Sequence, residues 1–282
     1  MKQIKIPKRS GGSRTIYVQG PREARRYRLL AHELTRLLYR LGPTDQVHGF
    51  LPGRSPVTNA MAHAGHRFVL QMDLRDFFDH CTESLMVSAG MSPELAHKCC
   101  VEGAARQGLS SSPMAANIAA LPMDRDLLAA CPPGVTYTRY ADDLTFSGDD
   151  IGELLTIRSL VPSLAEQHGQ EVNGKKTRIQ RADTGRAIIT GVAVDAEGVH
   201  LPRRTRRTLR AARHNLEKLQ NKIEAVEPGV IPAMGRVREL GHRTRGLEEW
   251  AKLKPPRSSS PSLNSRIHRA WVAEQTKKMF AP

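Results

Sequence analysis

The sequence predicts an α+β fold, with antiparallel strands through its first two thirds and helices at its C-terminal end. Short β-branched or aromatic runs recur at 3–8 and 14–19, at 135–147, and at 187–194 and 198–202. Each pair is joined by a short polar or glycine-containing link, which is hairpin spacing. Apolar residues at helical spacing occupy 22–41, and a basic amphipathic stretch runs over 204–226. The length of 282 residues with 39% hydrophobic content allows a substantial core in one large or two modest domains.

In chain order, Lys8-Arg9-Ser10-Gly11-Gly12-Ser13 is the turn between the first two strands. The helix from Arg22 to Leu41 carries Leu30, Leu34, Leu37, Leu38 and Leu41 along one side. His48–Ser55 is a Gly/Pro loop, a helix follows over 56–64, and Arg67–Asp73 is a buried strand. Ser112-Pro113 opens a helix through Ala120, which Pro122 bends or ends. Val135–Ser147 reads as a hairpin interrupted by Ala141-Asp142-Asp143, and the strands at 187–194 and 198–202 turn at 195–198. Pro and Ser dominate Lys254–Arg266 as a flexible break, and a short helix covers Trp271–Phe280.

The formal charge is +15, from 43 Lys and Arg against 28 Asp and Glu. Residues 1–28 carry a net +8, residues 203–282 a net +12, and the segment between them −5. Basic flanks neutralise phosphates while a mildly acidic centre collects cations, which points to a metal-dependent enzyme on nucleic acid. No apolar run reaches the ~18 residues of a membrane span. The basic N-terminus lacks the apolar stretch of a signal peptide. Cys81, Cys99, Cys100 and Cys131 have neither zinc-site nor disulfide-framework spacing, so a reducing cytoplasmic setting is expected.

Asp73 closes a buried strand, and Asp142 and Asp143 interrupt a strand pair. Carboxylates at the ends of apolar strands are costly unless a cation or a partner meets them. Mg²⁺ takes such hard oxygen ligands, and a pair of ions supports phosphoryl transfer.

These acids belong to an ordered series. Asp73-Leu-Arg-Asp76-Phe77-Phe78 comes first, then Gln107-Gly108 to Pro113, then Tyr140-Ala141-Asp142-Asp143. The series resembles the palm of a reverse transcriptase. Three further segments resemble retron reverse transcriptases: Asn59-Ala60-Met61-Ala62-His63, Ile189-Thr190-Gly191 and Asn173-Gly174-Lys175-Lys176-Thr177. The resemblance runs from about Ile6 to about Arg213. Ile189 stands where Val is usual, and Arg106 where Pro is more usual before Gln107.

The resemblance implies a right-hand polymerase fold, with fingers and palm over 1–202 and a basic helical thumb over 203–282. It assigns two Mg²⁺ ions to Asp73, Asp142, Asp143 and the Leu74 carbonyl. Phe78 becomes the steric gate against a 2′-hydroxyl, and Lys176 the acid for departing pyrophosphate. Lys8 and Arg14 contact the triphosphate of the dNTP, with Gln107 and Gly108 lining the nucleotide and Gly108 letting backbone approach closely. Arg is suited to bidentate phosphate contacts and Lys to a point charge. Asn59 and His63, four apart on one helix face, are expected to face RNA or to serve the structure, Thr190 to meet RNA, and Arg206 and Arg210 to lie on the duplex backbone.

The implied activity is RNA-directed DNA synthesis on a cognate non-coding RNA, primed from a 2′-hydroxyl of that RNA. The product is a branched RNA–DNA, and a separate effector protein in antiviral defence is the implied partner. The alternatives are a bacterial reverse transcriptase of group II intron or diversity-generating type, and a non-catalytic RNA-binding scaffold. The short C-terminus weighs against the intron type, and the intact acids and gate against the scaffold.

Overall fold

The first hairpin forms because Ile4, Ile6 and Ile16 alternate with polar residues, giving β1 (Lys2–Pro7) and β2 (Ser13–Val18). They pair antiparallel with Ile4 opposite Ile16 and Ile6 opposite Arg14. Gly11 and Gly12 adopt positive φ in the connecting loop, as the turn requires. In this computed structural model the described residues are 1–8 and 11–224.

Helix α1 (Pro21–Leu41) buries Leu30, Leu34 and Leu38, one turn apart, along a single stripe. Ser55 caps α2 (Pro56–Met61), accepting from the Thr58 N–H. β3 (Phe68–Asp73) follows, then the short helices α3 (Phe77–His80), α4 (Glu83–Ser88) and α5 (Pro93–Cys99). Next come α6 (Ser112–Ala119), α7 (Leu121–Ala130), β4 (Thr136–Tyr140), β5 (Asp143–Gly148) and α8 (Ile151–Gln167). A 3₁₀ turn at Gly174–Lys176 precedes β6 (Arg178–Arg181), β7 (Ala187–Ile189), β8 (Val192–Asp195), β9 (Gly198–His200) and α9 (Arg203–Glu224).

The central sheet is antiparallel, in the order β4-β5-β3-β6. Alternation along β3 sends Leu70 and Met72 into the main core with Leu144 and Phe146 of β5, Leu34 and Leu38 of α1, and Ile118 of α6. Val69, Gln71 and Asp73 face the other way. There Val69 joins a second apolar cluster with Val57 and Ala60 of α2 and Ile189, Val192 and Val194 of the β7-β8-β9 sheet. The sheet is therefore covered on both faces at one end, while the Asp73 end carries its polar residues.

Several expectations are corrected. The predicted strand 187–194 is two strands, because Thr190 and Gly191 both take positive φ and reverse the chain. The helix opened at Ser112 does end just before Pro122, and Pro122 also lies in the first turn of a further helix, α7, where its missing N–H costs nothing. Helix α8 and strand β6 have no counterpart among the elements expected from sequence. Pro162 lies inside α8 and interrupts its apparent pattern, and Arg178-Ile-Gln-Arg has the composition of a loop. The segments 254–266 and 271–280 lie outside the described residues.

Candidate active site

Asp73 is the last residue of β3 and Asp143 the first of β5, and the two are direct register partners. Opposed residues of an antiparallel pair project from the same face, so both carboxylates share one side of the sheet. Asp142 lies in the two-residue turn joining β4 to β5, and its carbonyl accepts from the Leu74 N–H at 2.9 Å. The expected interruption at 141–143 is thus shorter, because Asp143 is already strand. Ala141 has φ 56° while Asp142 does not take positive φ, the pattern a type II′ turn needs, although Ala in place of Gly makes it strained.

Leu74 bridges Val172, with Arg75 N–H donating to Glu171 O and Asn173 N–H to Asp73 O. That pattern turns the Leu74 N–H and C=O away from Val172 and toward Asp142. Burial pushes the Asp142 carboxyl up, and the neighbouring Asp73 adds to it. Burial, then Asp142 and Asp73, push Asp143 up to about 6. Asp142 and Asp143 thus resist charging, and with Asp73 beside them they form a hard oxygen donor set that a divalent cation satisfies. Asp195, Glu197 and His200 also bring ligand atoms within 4.8 Å of one another. However, the Asp195 carboxylate already accepts from Arg186, His200 and the Glu197 N–H.

Lys176 Nζ donates to both Asp73 oxygens, at 2.8 and 3.0 Å. That hydrogen bond, with the charges of all three acids, pushes the ammonium above its ordinary value. Asn173 Nδ2 reaches Asp73 at 3.5 Å. The lysine segment therefore sits directly on the acid site.

Phe78 follows Asp76, whose left-handed φ of 43° starts α3. Its ring meets Phe77 at 5.7 Å and Phe50 at 6.1 Å, leaving it half-buried. Lys8 reaches across from the β1–β2 hairpin to Asp76, 3.3 Å away, so the hairpin loop and the Phe78 helix come together. Arg14 is exposed on β2 opposite Ile6.

Gln107 O accepts from the Tyr17 N–H at 2.8 Å, and Gly108 O from Gln19 at 2.7 Å. Gly108 has φ 102°, and a Cβ there would overlap the Tyr17 carbonyl and lie 2.7 Å from Ile16. The close approach at Gly108 is thus made to β2.

For Asn59 and His63 the RNA-facing alternative gives way to the structural one, since both are fully buried. His63 Nδ1 meets Ser147 Oγ and Nε2 meets Thr138 Oγ1, each at 2.7 Å. Thr138 donates to Asn59 Oδ1 at 2.7 Å, and Asn59 Nδ2 approaches Thr190 Oγ1 at 3.5 Å. These side chains fasten α2 and the β7–β8 turn to the back of the β4–β5 hairpin. Thr190 is half-buried and also donates to Pro56 O. Arg206 and Arg210 are exposed on α9, beside the buried Leu209 and Ala212.

Sequence reasoning missed the residues beneath the turn. Arg139 and Asp124 form a fully buried ion pair, and Asn117 lies against it. The signal that could have found them is the alternation Tyr137-Thr138-Arg139, which places an arginine on the core face of β4.

Residues 6–200 match the family described as reverse transcriptase (RNA-dependent DNA polymerase). Two curated relatives from Myxococcus xanthus are similar to this chain. The Retron Mx65 reverse transcriptase is 36% identical, with 90% of this chain and 64% of the relative covered. The Retron Mx162 reverse transcriptase is 33% identical, with 76% and 52% covered. The chain thus spans 64% and 52% of the length of these two relatives. Among solved structures, a telomerase from Candida albicans in complex with a fragment of telomeric RNA aligns at a TM-score of 0.53 and 14% identity. That alignment covers 97% of this chain and 58% of the other. At that identity the likeness speaks for the fold, the right-hand polymerase arrangement. The match over residues 6–200 places the chain in the reverse transcriptase family.

Proposed function

We propose that this chain is an RNA-directed DNA polymerase of the retron type. It would copy its own non-coding RNA, primed from a 2′-hydroxyl within it, into branched RNA-linked single-stranded DNA. The observation that carries the polymerase reading is the register pairing of Asp73 with Asp143, with Asp142 in the adjoining turn. The similarity to retron reverse transcriptases supports the retron part.

Asp73, Asp142, Asp143 and the Leu74 carbonyl are the ligands for divalent ions, two Mg²⁺ in this reading. The ions would activate the primer hydroxyl and offset charge on the phosphates. The residues of this chain do the rest. The Lys176 ammonium, held against Asp73, is the proton donor for the leaving pyrophosphate in this reading. Lys8 and Arg14 bring cations from the β1–β2 hairpin to the triphosphate. Phe78 limits the room under the sugar. Gln107 and Gly108 act by seating that hairpin on the palm. A role in antiviral defence with a separate effector protein belongs to the same reading.

The test replaces Asp142 and Asp143 by Asn together. Incorporation of dNTPs should vanish while retention of RNA stays near that of the parent, since the basic surfaces are untouched. Substantial remaining incorporation would remove the acid-site assignment. Sequencing the nucleic acid that co-purifies with the parent addresses the retron part. One RNA species covalently joined to DNA is expected, and a mixture of unlinked cellular RNAs would overturn it.

A further inference from the structure

The carboxylates lie on one face of the central sheet, and Arg139 points from the other. Its side chain is fully buried among Leu144, Phe146 and the helices, a costly place for a charge unless every N–H is used. Arg139 Nε and Nη2 donate to the Asp124 carboxylate of α7, at 2.8 and 2.7 Å. The Tyr137 hydroxyl donates to the same carboxylate at 2.8 Å. Nη1 is shared between Asn117 Oδ1 of α6, at 3.0 Å, and the Ala141 carbonyl, at 3.2 Å. Ala141 is the strained residue of the turn that holds Asp142.

Two further contacts return to the same turn. Asn117 Nδ2 donates to Gly49 O at 3.0 Å. Gly49 lies so close beneath the turn that a Cβ there would be 3.2 Å from both Ala141 Cα and Tyr140 C and would overlap the Ala141 nitrogen. The backbone of β4 is gripped as well, with Arg139 N–H donating to Gln46 O and His48 N–H to Arg139 O. On its other side the guanidinium lies 5.7 Å from the Phe77 ring, next to Phe78. Phe78 touches Phe50, the residue after Gly49. The contacts close into a ring: Arg139, Phe77, Phe78, Phe50, Gly49, Asn117 and back to Arg139.

We infer that Arg139, held by Asp124 and Asn117, is a positioning residue. It fixes the strained turn carrying Asp142 and the aromatic gate in one arrangement, coupling cation binding to sugar selection. The guanidinium reaches neither substrate nor cation. It acts through the Ala141 carbonyl and the Phe77 ring, which only a planar fork with several fixed donors can reach together. This inference rests on the polymerase reading of the acid site.

Two variants test it. Arg139→Lys keeps the charge and removes the fork. Asn117→Ala leaves the ion pair intact and removes the link from Nη1 to Gly49. Thermal melting identifies folded protein, and if Arg139→Lys does not fold, Asn117→Ala carries the test alone. The first readout needs no catalysis: Mn²⁺ binding followed by electron paramagnetic resonance. Supporting groups behind metal ligands are worth about 10-fold or more in affinity, and a fall of that order is expected. The second readout is the efficiency ratio of dTTP to UTP on oligo(dT) annealed to poly(rA), which should fall in both variants. A fraction of misfolded protein lowers the apparent turnover but leaves the Mn²⁺ dissociation constant and the nucleotide ratio untouched. Folded variants with the parent's Mn²⁺ affinity, or with the parent's ratio, overturn the inference. A parent that binds Mn²⁺ yet incorporates no dTTP overturns the polymerase reading instead.

Discussion

Phe78 is half-buried between Phe77 and Phe50, and the positive φ of Asp76 sets the direction in which its helix leaves β3. If its ring excludes a 2′-hydroxyl by bulk alone, Phe78→Val should raise incorporation of ribonucleotides while dNTP incorporation falls less. Comparing rNTP and dNTP efficiencies in variant and parent checks this, and an unchanged ratio puts the gate elsewhere. The carboxylates were legible because acids at the ends of apolar strands need a cation, and Asp73 and Asp143 do meet face to face. Arg139 and Asp124 were not legible. Their pairing spans β4 and α7, and no local pattern says which buried charge answers which. Gly108 was legible as a close approach but not in its direction, since tertiary contact with Tyr17 decides that.

At the scale of elements, the β1–β2 hairpin is held by few contacts. Tyr17 is the one buried residue of its two strands, and the hairpin is tied down at Gln107 and Gly108, at Glu102 by Gln3 and Tyr17, and at Asp76 by Lys8. Gly108→Ala would place a methyl group against the Tyr17 carbonyl at a φ that L residues avoid, at a cost above ~1 kcal/mol. The hairpin carries Lys8 and Arg14, so the variant should raise KM for dNTP several-fold with a smaller change in kcat. Steady-state primer extension measures both, and a fall in kcat at constant KM would contradict the tethering role. The hairpins and α1 were legible from alternation and leucine spacing. The role of α2 was not, because Asn59 on this short helix and His63 in the turn after it are polar and show no apolar periodicity. Their partners Thr138, Ser147 and Thr190 come from three distant strands and turns, and they bury both side chains.

Across the whole molecule, the charge separates the acid site from the basic surfaces proposed to hold nucleic acid. The net +8 of residues 1–28 falls on the first hairpin and the start of α1, and α9 opens with Arg203, Arg204, Arg206 and Arg207. Leu209 and Ala212 are buried, while Arg206 and Arg210 stay exposed one turn apart. Exposed arginines with this spacing suit a row of phosphates better than base edges, because side chains cannot read the deep, narrow major groove of an A-form duplex. Binding through phosphates releases counterions, so removing one arginine–phosphate pair should flatten the plot of log affinity against log salt by roughly 0.7–0.9. Replacing Arg206 and Arg210 by Gln should therefore reduce the slope by about 1.4–1.8. It should also weaken an unrelated RNA duplex and the co-purifying RNA by similar factors, because phosphates carry no sequence. Fluorescence anisotropy over a salt series measures slope and affinity together. A slope equal to the parent's would mean that these arginines touch no phosphate. Weakening confined to the co-purifying RNA would mean that α9 reads a feature of that RNA's structure.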